Sequence, residues 1–452
     1  MTRARPDPDF SEPAPPLWEQ VAALIVLVML TQALIGPIFA PTQEETPILR
    51  LVWLPIYAII AGLCVWRWER LVRVWPAVLM LFLMVLHAFA SKYWSIDPGV
   101  TQRRVIALAI TGAFSIYLGA AFRGAHLPRL LMIGGLLMGI GSLVMVFAFP
   151  AIGVHQAENF GLWRGIWYEK NQMGIVMVAT GTAAAAVLAA KDRLDPVALV
   201  TIALCTGLML MTQSKTSLLC MVIGLGGIGA LWAMRKGGAA FAIVCIWVGV
   251  ILMATASYLF ITNRELVLQA LGKDPTLTGR TDIWAALMRM VDQQPWTGFG
   301  YSAFWGRDSI PALMIRQETQ WAVPSAHNGW IDLLVQLGWP GALLVGGVIA
   351  IAAIGTVFRI PVAGAREGYF SIAYLVLFVL LSLSESVLLN QSNLPWTLLL
   401  AILARALAPE PEPIRTPQLY RHLAGRTRQA YQPGSRIAAQ YAHGQSRRPI
   451  RL

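Results

Sequence analysis

Little of this chain is charged, and cysteine is scarce. Charged residues make up 13% of its 452 residues, whereas soluble globular proteins carry about 25%. The deficit argues against an ordinary cytosolic enzyme, a disordered protein and a nucleic-acid-binding domain. The cysteines lie within apolar runs and form no CxxC pair, so neither a disulfide framework nor a zinc site is expected. They are Cys64, Cys205, Cys220 and Cys245.

Apolar residues dominate instead, at 57% of the chain. A bilayer crossing needs about 20 apolar residues, and the sequence holds about a dozen such runs. They predict an all-α polytopic membrane protein with about 12 transmembrane helices and one long, partly helical periplasmic loop. The expected spans are residues 20–40, 48–66, 72–90, 104–122, 129–151, 172–190, 196–212, 216–234, 239–261, 338–358, 367–388 and 393–408.

Basic residues in the short connecting loops predict the orientation of these helices. Lys and Arg concentrate on the cytoplasmic side of membrane proteins. Here they occupy alternate loops, and the first intervening loop is acidic, so both termini are expected in the cytoplasm. The basic loops contain Arg67, Arg70 and Arg73; Arg123 and Arg129; Lys191 and Arg193; Arg235 and Lys236; and Arg359 and Arg366.

Three segments differ in composition from the polytopic membrane domain, which is expected to cover residues 18–408. Residues 1–17 form a polar cytoplasmic segment that precedes a retained first span. Residues 409–452 contain eight Arg and two Glu and predict a disordered cytoplasmic tail that contacts anionic lipid. Residues 262–326 carry six basic and six acidic residues on the outer side. Long loops of this kind often carry function.

Short polar motifs follow one another on the outer side of the predicted spans. In order and placement they resemble the O-antigen ligase and Wzy-type polysaccharide polymerase superfamily over about residues 91–407, and the first two are most similar to its exopolysaccharide polymerase branch. The motifs are R-G-I-W-Y-E-K-N at 164–171, Q-S-K-T-S at 213–217, T-G-R-T-D-I-W at 278–284, P-W-T-G-F-G at 295–300 and A-H-N-G-W at 326–330, followed by L-G-W-P-G at 337–341.

The resemblance implies a C-type glycosyltransferase-like enzyme that acts at the periplasmic face of the bacterial inner membrane. Its donor would be a glycan on undecaprenyl diphosphate, and its chemistry would be inverting, metal-independent and free of cofactors. The outer loops indeed contain no DxD motif. The sequence Asp7-Pro8-Asp9 is expected on the cytoplasmic side and is therefore unrelated to such a site.

The resemblance also assigns roles to charged residues of the outer loops. Arg164 and Arg280 would clamp the diphosphate leaving group, because a guanidinium binds two phosphate oxygens at once. His327 would take the proton of the acceptor hydroxyl or orient the diphosphate. The other candidates are Lys170, Asn171, Lys215 and Asn328 as diphosphate or substrate contacts, and Glu385 and Asp282 as supporting groups behind them.

Structural roles compete with several of these assignments. Arg164 and Lys170 could anchor a helix end in lipid headgroups, and Lys215 could simply end a helix. Arg280 lies near a helix start, where a cation is unfavourable, so it needs a partner such as Asp282 or a phosphate. His327 could cap the following helix together with Asn328. Glu385 is expected near the outer end of the eleventh span, paired with Arg164 or Arg280.

Three functions fit these observations. The first is a polymerase that joins lipid-linked repeat units into an exopolysaccharide or O-polysaccharide. The second is an O-antigen ligase that transfers the finished chain to lipid A-core. The third is a non-enzymatic transporter of lipid-linked oligosaccharides. The expected partners are the donor, the glycan or lipid A-core acceptor, membrane lipids and a chain-length regulator, without nucleic acid.

Overall fold

The computed structural model describes residues 13–39, 47–156, 159–190, 194–263 and 280–409. Predictions that concern other residues lie outside the described part of the chain. They include the acidic loop near Glu44, the basic loop at Lys191 and Arg193, the start of the T-G-R-T-D-I-W motif, and the Arg-rich tail.

The regular elements of the described residues are helices, and the β-bridge between Val154 and Trp163 is isolated. This confirms the all-α fold class. A π-helical turn, Ile35–Phe39, and a 3-10 turn, Ser91–Tyr93, accompany the helices. The α-helices are Leu17–Leu30 (α1), Pro47–Trp66 (α2), Trp68–Arg73 (α3), Trp75–Ala90 (α4), Pro98–Ala121 (α5), His126–Ala148 (α6), Pro150–Gly153 (α7), Lys170–Ala189 (α8), Pro196–Thr212 (α9), Lys215–Thr262 (α10), Arg280–Gln293 (α11), Ile310–Thr319 (α12), Gly329–Arg359 (α13), Ala365–Ser382 (α14) and Leu394–Ala406 (α15).

Seven helical stretches of the described chain are long and apolar enough to cross a membrane. They comprise α4 with its 3-10 turn, α5, α6, α8, α10, α13 and α14, and shorter apolar helices occur at α1, α2, α9 and α15. Each predicted span overlaps a described helix. The eighth and ninth share α10, which is kinked at Gly238, where φ is 76°. The count of about 12 crossings stays a prediction.

The L-G-W-P-G motif interrupts α13 early in the helix. Gly338 has a φ of 64°, in the left-handed region that favours glycine. Two residues later, Pro340 has no backbone N–H to donate. The carbonyl groups of Val335 and Gln336 therefore lose their partners within the helix and become available to another segment.

The P-W-T-G-F-G turn occupies this break in α13. The amides of Phe299 and Gly300 donate to the two freed carbonyls at 2.8 and 3.0 Å. In the other direction, the amide of Trp339 donates to the carbonyl of Pro295 at 2.8 Å. Two motifs that are about 40 residues apart in the sequence thus form one structural unit, because the break in the helix satisfies the backbone groups of the turn.

The helix α14 ends earlier than the sequence predicts, at Ser382. The hydroxyl of Ser382 donates to Val379 O at 2.7 Å, and that of Ser384 donates to Leu381 O at 3.4 Å. Serine side chains that bond to nearby backbone carbonyls compete with helical hydrogen bonding. The helix thus ends before residue 388, the predicted end of the eleventh span. Glu385 lies in an irregular segment, here called the 383–393 loop.

Candidate functional site

Glu385 joins three of the predicted site residues. Its Oε1 accepts a hydrogen bond from Asn171 Nδ2 at 3.5 Å and lies 3.9 Å from Arg280 Nη2. Its Oε2 is 3.6 Å from His327 Nδ1. The side chains of Glu385, Arg280 and His327 are 15%, 19% and 18% exposed. We call these four residues the Glu385 cluster. Its members come from the start of α8, the start of α11, the residue before the N-cap of α13 and the 383–393 loop. These four segments therefore meet at Glu385.

Arg280 begins α11 and is held by the 383–393 loop. Its Nη1 donates to the carbonyl oxygen of Ser384 at 2.9 Å. A guanidinium carries five N–H donors, so the described hydrogen bond leaves others for a ligand. Asp282, the expected alternative partner, is exposed in the first turn of α11. The partners described for Arg280 therefore belong to the 383–393 loop, and Asp282 is not among them.

His327 has a constrained backbone and an oriented ring. Its φ is 48°, a left-handed conformation that is uncommon for residues other than glycine. The ring stacks on Trp321, with centroids 5.7 Å apart and planes 7° from parallel. Nδ1 is buried and makes no hydrogen bond within the described chain. Because Glu385 lies 3.6 Å away, a small movement would let Nδ1 donate to it.

Asn328 caps α13. Its side-chain oxygen accepts hydrogen bonds from the amides of Trp330 and Ile331, at 3.0 and 3.2 Å. An Asn side chain at this position satisfies N–H groups that a helix start leaves without partners. The structural role considered for His327 and Asn328 thus belongs to Asn328, and the ring of His327 points elsewhere.

Arg164 is anchored within its own loop. Its Nε donates to Ile152 O at 2.7 Å, and its two other nitrogens lie 3.3 Å from Tyr168 O and 3.4 Å from Ala151 O. The guanidinium carbon also lies 5.8 Å from the centre of the Tyr168 ring. None of these described contacts reaches Glu385. Arg164 therefore shapes the loop that leads into α8, whatever else it binds.

Lys170 and Lys215 each begin a helix. Lys170 is half-buried at the start of α8, directly before Asn171, whereas Lys215 is exposed at the start of α10. A cation is unfavourable at the positive end of a helix dipole, so a bound anion would stabilise both positions.

His155 was not singled out by the sequence. It is buried, and its Nε2 accepts a hydrogen bond from the backbone amide of Lys170 at 3.3 Å. Burial, reinforced by the positive charges of Arg164 and Lys170, lowers the pKa of His155 to about 4. The ring is therefore neutral near pH 7 and supports the start of α8. One sequence feature could have pointed to His155: it is a histidine in the same loop as the R-G-I-W-Y-E-K-N motif.

Asp332 was also missed. It is buried in the first turn of α13 and accepts a hydrogen bond from the indole of Trp305. The Asp332 carboxyl also lies within the electrostatic range of His327. Nothing in the local sequence distinguishes Asp332 from an ordinary acidic residue in the first turn of a helix.

Comparison with known families identifies the central part of the chain. Residues 200–346 match the Wzy_C family, described as O-antigen ligase. This region of the chain is therefore similar to O-antigen ligases. This confirms the resemblance seen in the motifs. The matched residues include Lys215, Arg280 and His327, whereas Arg164 and Glu385 lie on either side of the match.

Two characterised proteins are similar to this chain. The exopolysaccharide production protein ExoQ of Rhizobium meliloti is 25% identical over 328 residues, which cover 68% of this chain and 70% of ExoQ. The general O-oligosaccharyltransferase of Acinetobacter baylyi is 39% identical over 74 residues, which cover 16% of this chain and 12% of that protein. The first similarity extends well beyond the residues that match the Wzy_C family.

Proposed function

We propose that this membrane protein is a glycan transferase that polymerises lipid-linked repeat units of an exopolysaccharide or O-polysaccharide at the periplasmic face of the bacterial inner membrane. The observation that carries the proposal is the Glu385 cluster, in which one carboxylate orients both a guanidinium and an imidazole. The choice of polymerisation is supported by the similarity to ExoQ.

In this proposal Arg280 stabilises the leaving group. The donor glycan is carried on undecaprenyl diphosphate, and negative charge grows on the phosphate oxygens as the bond from the sugar to the phosphate breaks. The remaining N–H groups of Arg280 can bind two of these oxygens. Ser384 O and Glu385 hold the guanidinium in place beforehand, which is the arrangement that makes electrostatic stabilisation effective.

His327 is the proposed general base. With Nδ1 directed at Glu385, the neutral ring can carry its proton on Nδ1 and accept another at Nε2. The acceptor hydroxyl loses its proton to Nε2 as its oxygen attacks the anomeric carbon from the face opposite the diphosphate, which inverts that centre. Glu385 then stabilises the imidazolium. The diphosphate leaves with the electron pair of the broken bond, so the charges balance without a metal.

The similarity to O-antigen ligases supports a second candidate function, transfer of a complete chain to lipid A-core. Both reactions use the same donor chemistry, so Arg280 and His327 serve either one. They differ in acceptor and product. A polymerase lengthens the carrier-linked glycan by one repeat unit at a time, whereas a ligase moves the whole glycan to lipid A-core in one step.

Reconstitution of the purified protein with an undecaprenyl-diphosphate-linked repeat unit tests the proposal. We expect a ladder of longer glycans that persists in a chelator. Arg280→Ala should lower the rate on the order of 100- to 1,000-fold, the usual cost of removing one oriented charge partner. Arg289→Ala is the matched control, since Arg289 lies on the same helix but is half-exposed and pairs with Glu318.

Three results would contradict this proposal. Equal losses in the two arginine variants would show that the effect is not specific to the Glu385 cluster. Transfer only when lipid A-core is added would favour the ligase. Movement of the lipid-linked glycan between leaflets without any transfer would favour a transporter.

A further inference from the structure

The chain turns sharply where α1 ends. Gln32 and Leu34 have φ values of 61° and 63°, and neither is a glycine. Such left-handed conformations are strained and persist only where the surrounding structure holds them in place. This turn precedes the region of the chain that carries the motifs, and the sequence alone assigns it no role.

The surroundings that hold the turn belong to the loop before α8. The indole of Trp167, which is fully buried, donates to Thr31 O at 2.9 Å. The amide of Leu34 donates to Ile166 O at 2.7 Å. The end of α1 is therefore attached to the loop that contains Arg164.

Between these two attachments, the side chain of Gln32 bridges two other segments. Its Nε2 donates to Ser392 O in the 383–393 loop at 2.9 Å. Its Oε1 accepts from Gln172 Nε2 in the first turn of α8 at 3.4 Å. Gln172 itself accepts a hydrogen bond from the amide of Glu169, so it is fixed to the start of that helix.

The two bridged segments are those that supply Asn171 and Glu385. Asn171 precedes Gln172 in α8, and its amide donates to Glu385 at 3.5 Å. We propose that Gln32 is a positioning residue for the Glu385 cluster. Its amide holds the first turn of α8 against the 383–393 loop, so that the carboxylate stays directed at Arg280 and His327. The catalytic consequence rests on the proposed function.

The strained backbone of Gln32 supports this role. A glycine would adopt the same φ without strain, but it would provide no amide for Ser392 and Gln172. An asparagine also tolerates the left-handed region, but its amide is one methylene shorter. Asparagine thus relieves the backbone and breaks the bridge, whereas alanine breaks the bridge and keeps the strained φ. Comparing these two variants separates the two contributions.

The test compares Gln32→Ala and Gln32→Asn with wild type in the full-length protein. We expect kcat to fall on the order of 10- to 100-fold, because a small displacement of reacting groups has effects of that size. KM for the lipid-linked donor should change less than kcat. Hydrogen–deuterium exchange should become faster in the first turn of α8 and in the 383–393 loop. Gln20→Ala is the control, since Gln20 lies on α1 and its side-chain amide donates to nearby Pro15 O.

Several outcomes would overturn the inference. One is wild-type kcat in both Gln32 variants. Another is unchanged hydrogen exchange in the two segments, which would disprove the bridge regardless of activity. A third is a loss of activity that merely follows a loss of folded protein in both variants. A wild-type protein without any transfer activity would instead refute the proposed function, and with it the effect on kcat.

Discussion

Arg280 places a positive charge at the start of a helix, where the helix dipole is also positive. The structure offsets this with Ser384 O and Glu385, neither of which is close in sequence. A guanidinium and a helix start together form an electropositive position suited to an anion. The sequence predicted a pairing of Glu385 with Arg164 or Arg280, and the structure places Glu385 beside Arg280. The additional contact of Glu385 with His327 was not predicted, because it depends on how the start of α13 and the 383–393 loop pack.

His155 gives a prediction at the same scale. Its pKa of about 4 is below the value of about 6.5 for an unfolded chain. Between these pH values the unfolded chain binds more protons, so the stability of the wild type falls as the pH drops from 6.5 to 4. His155→Gln keeps an acceptor for the Lys170 amide but cannot titrate. We expect its stability to vary less over this range, by about 1–2 kcal/mol. Thermal unfolding at several pH values measures this, and an equally steep decline in the variant would contradict it.

At the scale of helices, apolar runs predicted where helices occur, and the gap between the eighth and ninth spans coincides with the kink of α10, but the early end of α14 was not predicted. Hydropathy reports the membrane environment, and it is similar on both sides of a kink. The break at Gly338 is matched by a partner, the P-W-T-G-F-G turn, and the end of α14 is accompanied by serine hydroxyls that bond to nearby backbone carbonyls. Glycine and proline marked the first break in the sequence. The serines after α14 were the corresponding signal for the second.

Substitution of Gly338 tests the importance of the break in α13. A Cβ at this position would lie 2.6 Å from Pro295 O, on a backbone whose φ is 64°. Gly338→Ala should therefore destabilise the protein by about 1–3 kcal/mol, the usual cost of such strain, and displace the turn. Gly347→Ala, in the same helix, is the control, because a Cβ there meets nothing within 4 Å. Thermal unfolding of the two variants gives the comparison, and equal stabilities would contradict the prediction.

At the scale of the whole molecule, composition predicted an all-helical membrane protein, and charge predicted its orientation. Helix length alone does not give the number of crossings, because α1, α9 and α15 are short while α10 is long enough for two predicted spans. We propose about 12 crossings with both termini in the cytoplasm, as the basic loops indicate.

Labelling of single cysteines tests this topology. Gln320→Cys lies in the loop between α12 and α13, and Lys236→Cys lies beside the kink of α10. Both positions are exposed. In a background without the native cysteines, a membrane-impermeant thiol reagent should modify the first in intact cells from the periplasm. It should modify the second only after the inner membrane is opened. Labelling of both in intact cells would contradict the proposed orientation.

The bridge made by Gln32 also has a consequence for biogenesis. Gln32 and Ser392 are 360 positions apart, and the intervening helices are synthesised and inserted between them. The Glu385 cluster therefore cannot be completed on a nascent chain until almost the entire membrane domain has left the ribosome. A partially translated protein lacks this arrangement of groups. The cluster can therefore form only after the preceding helices have been inserted.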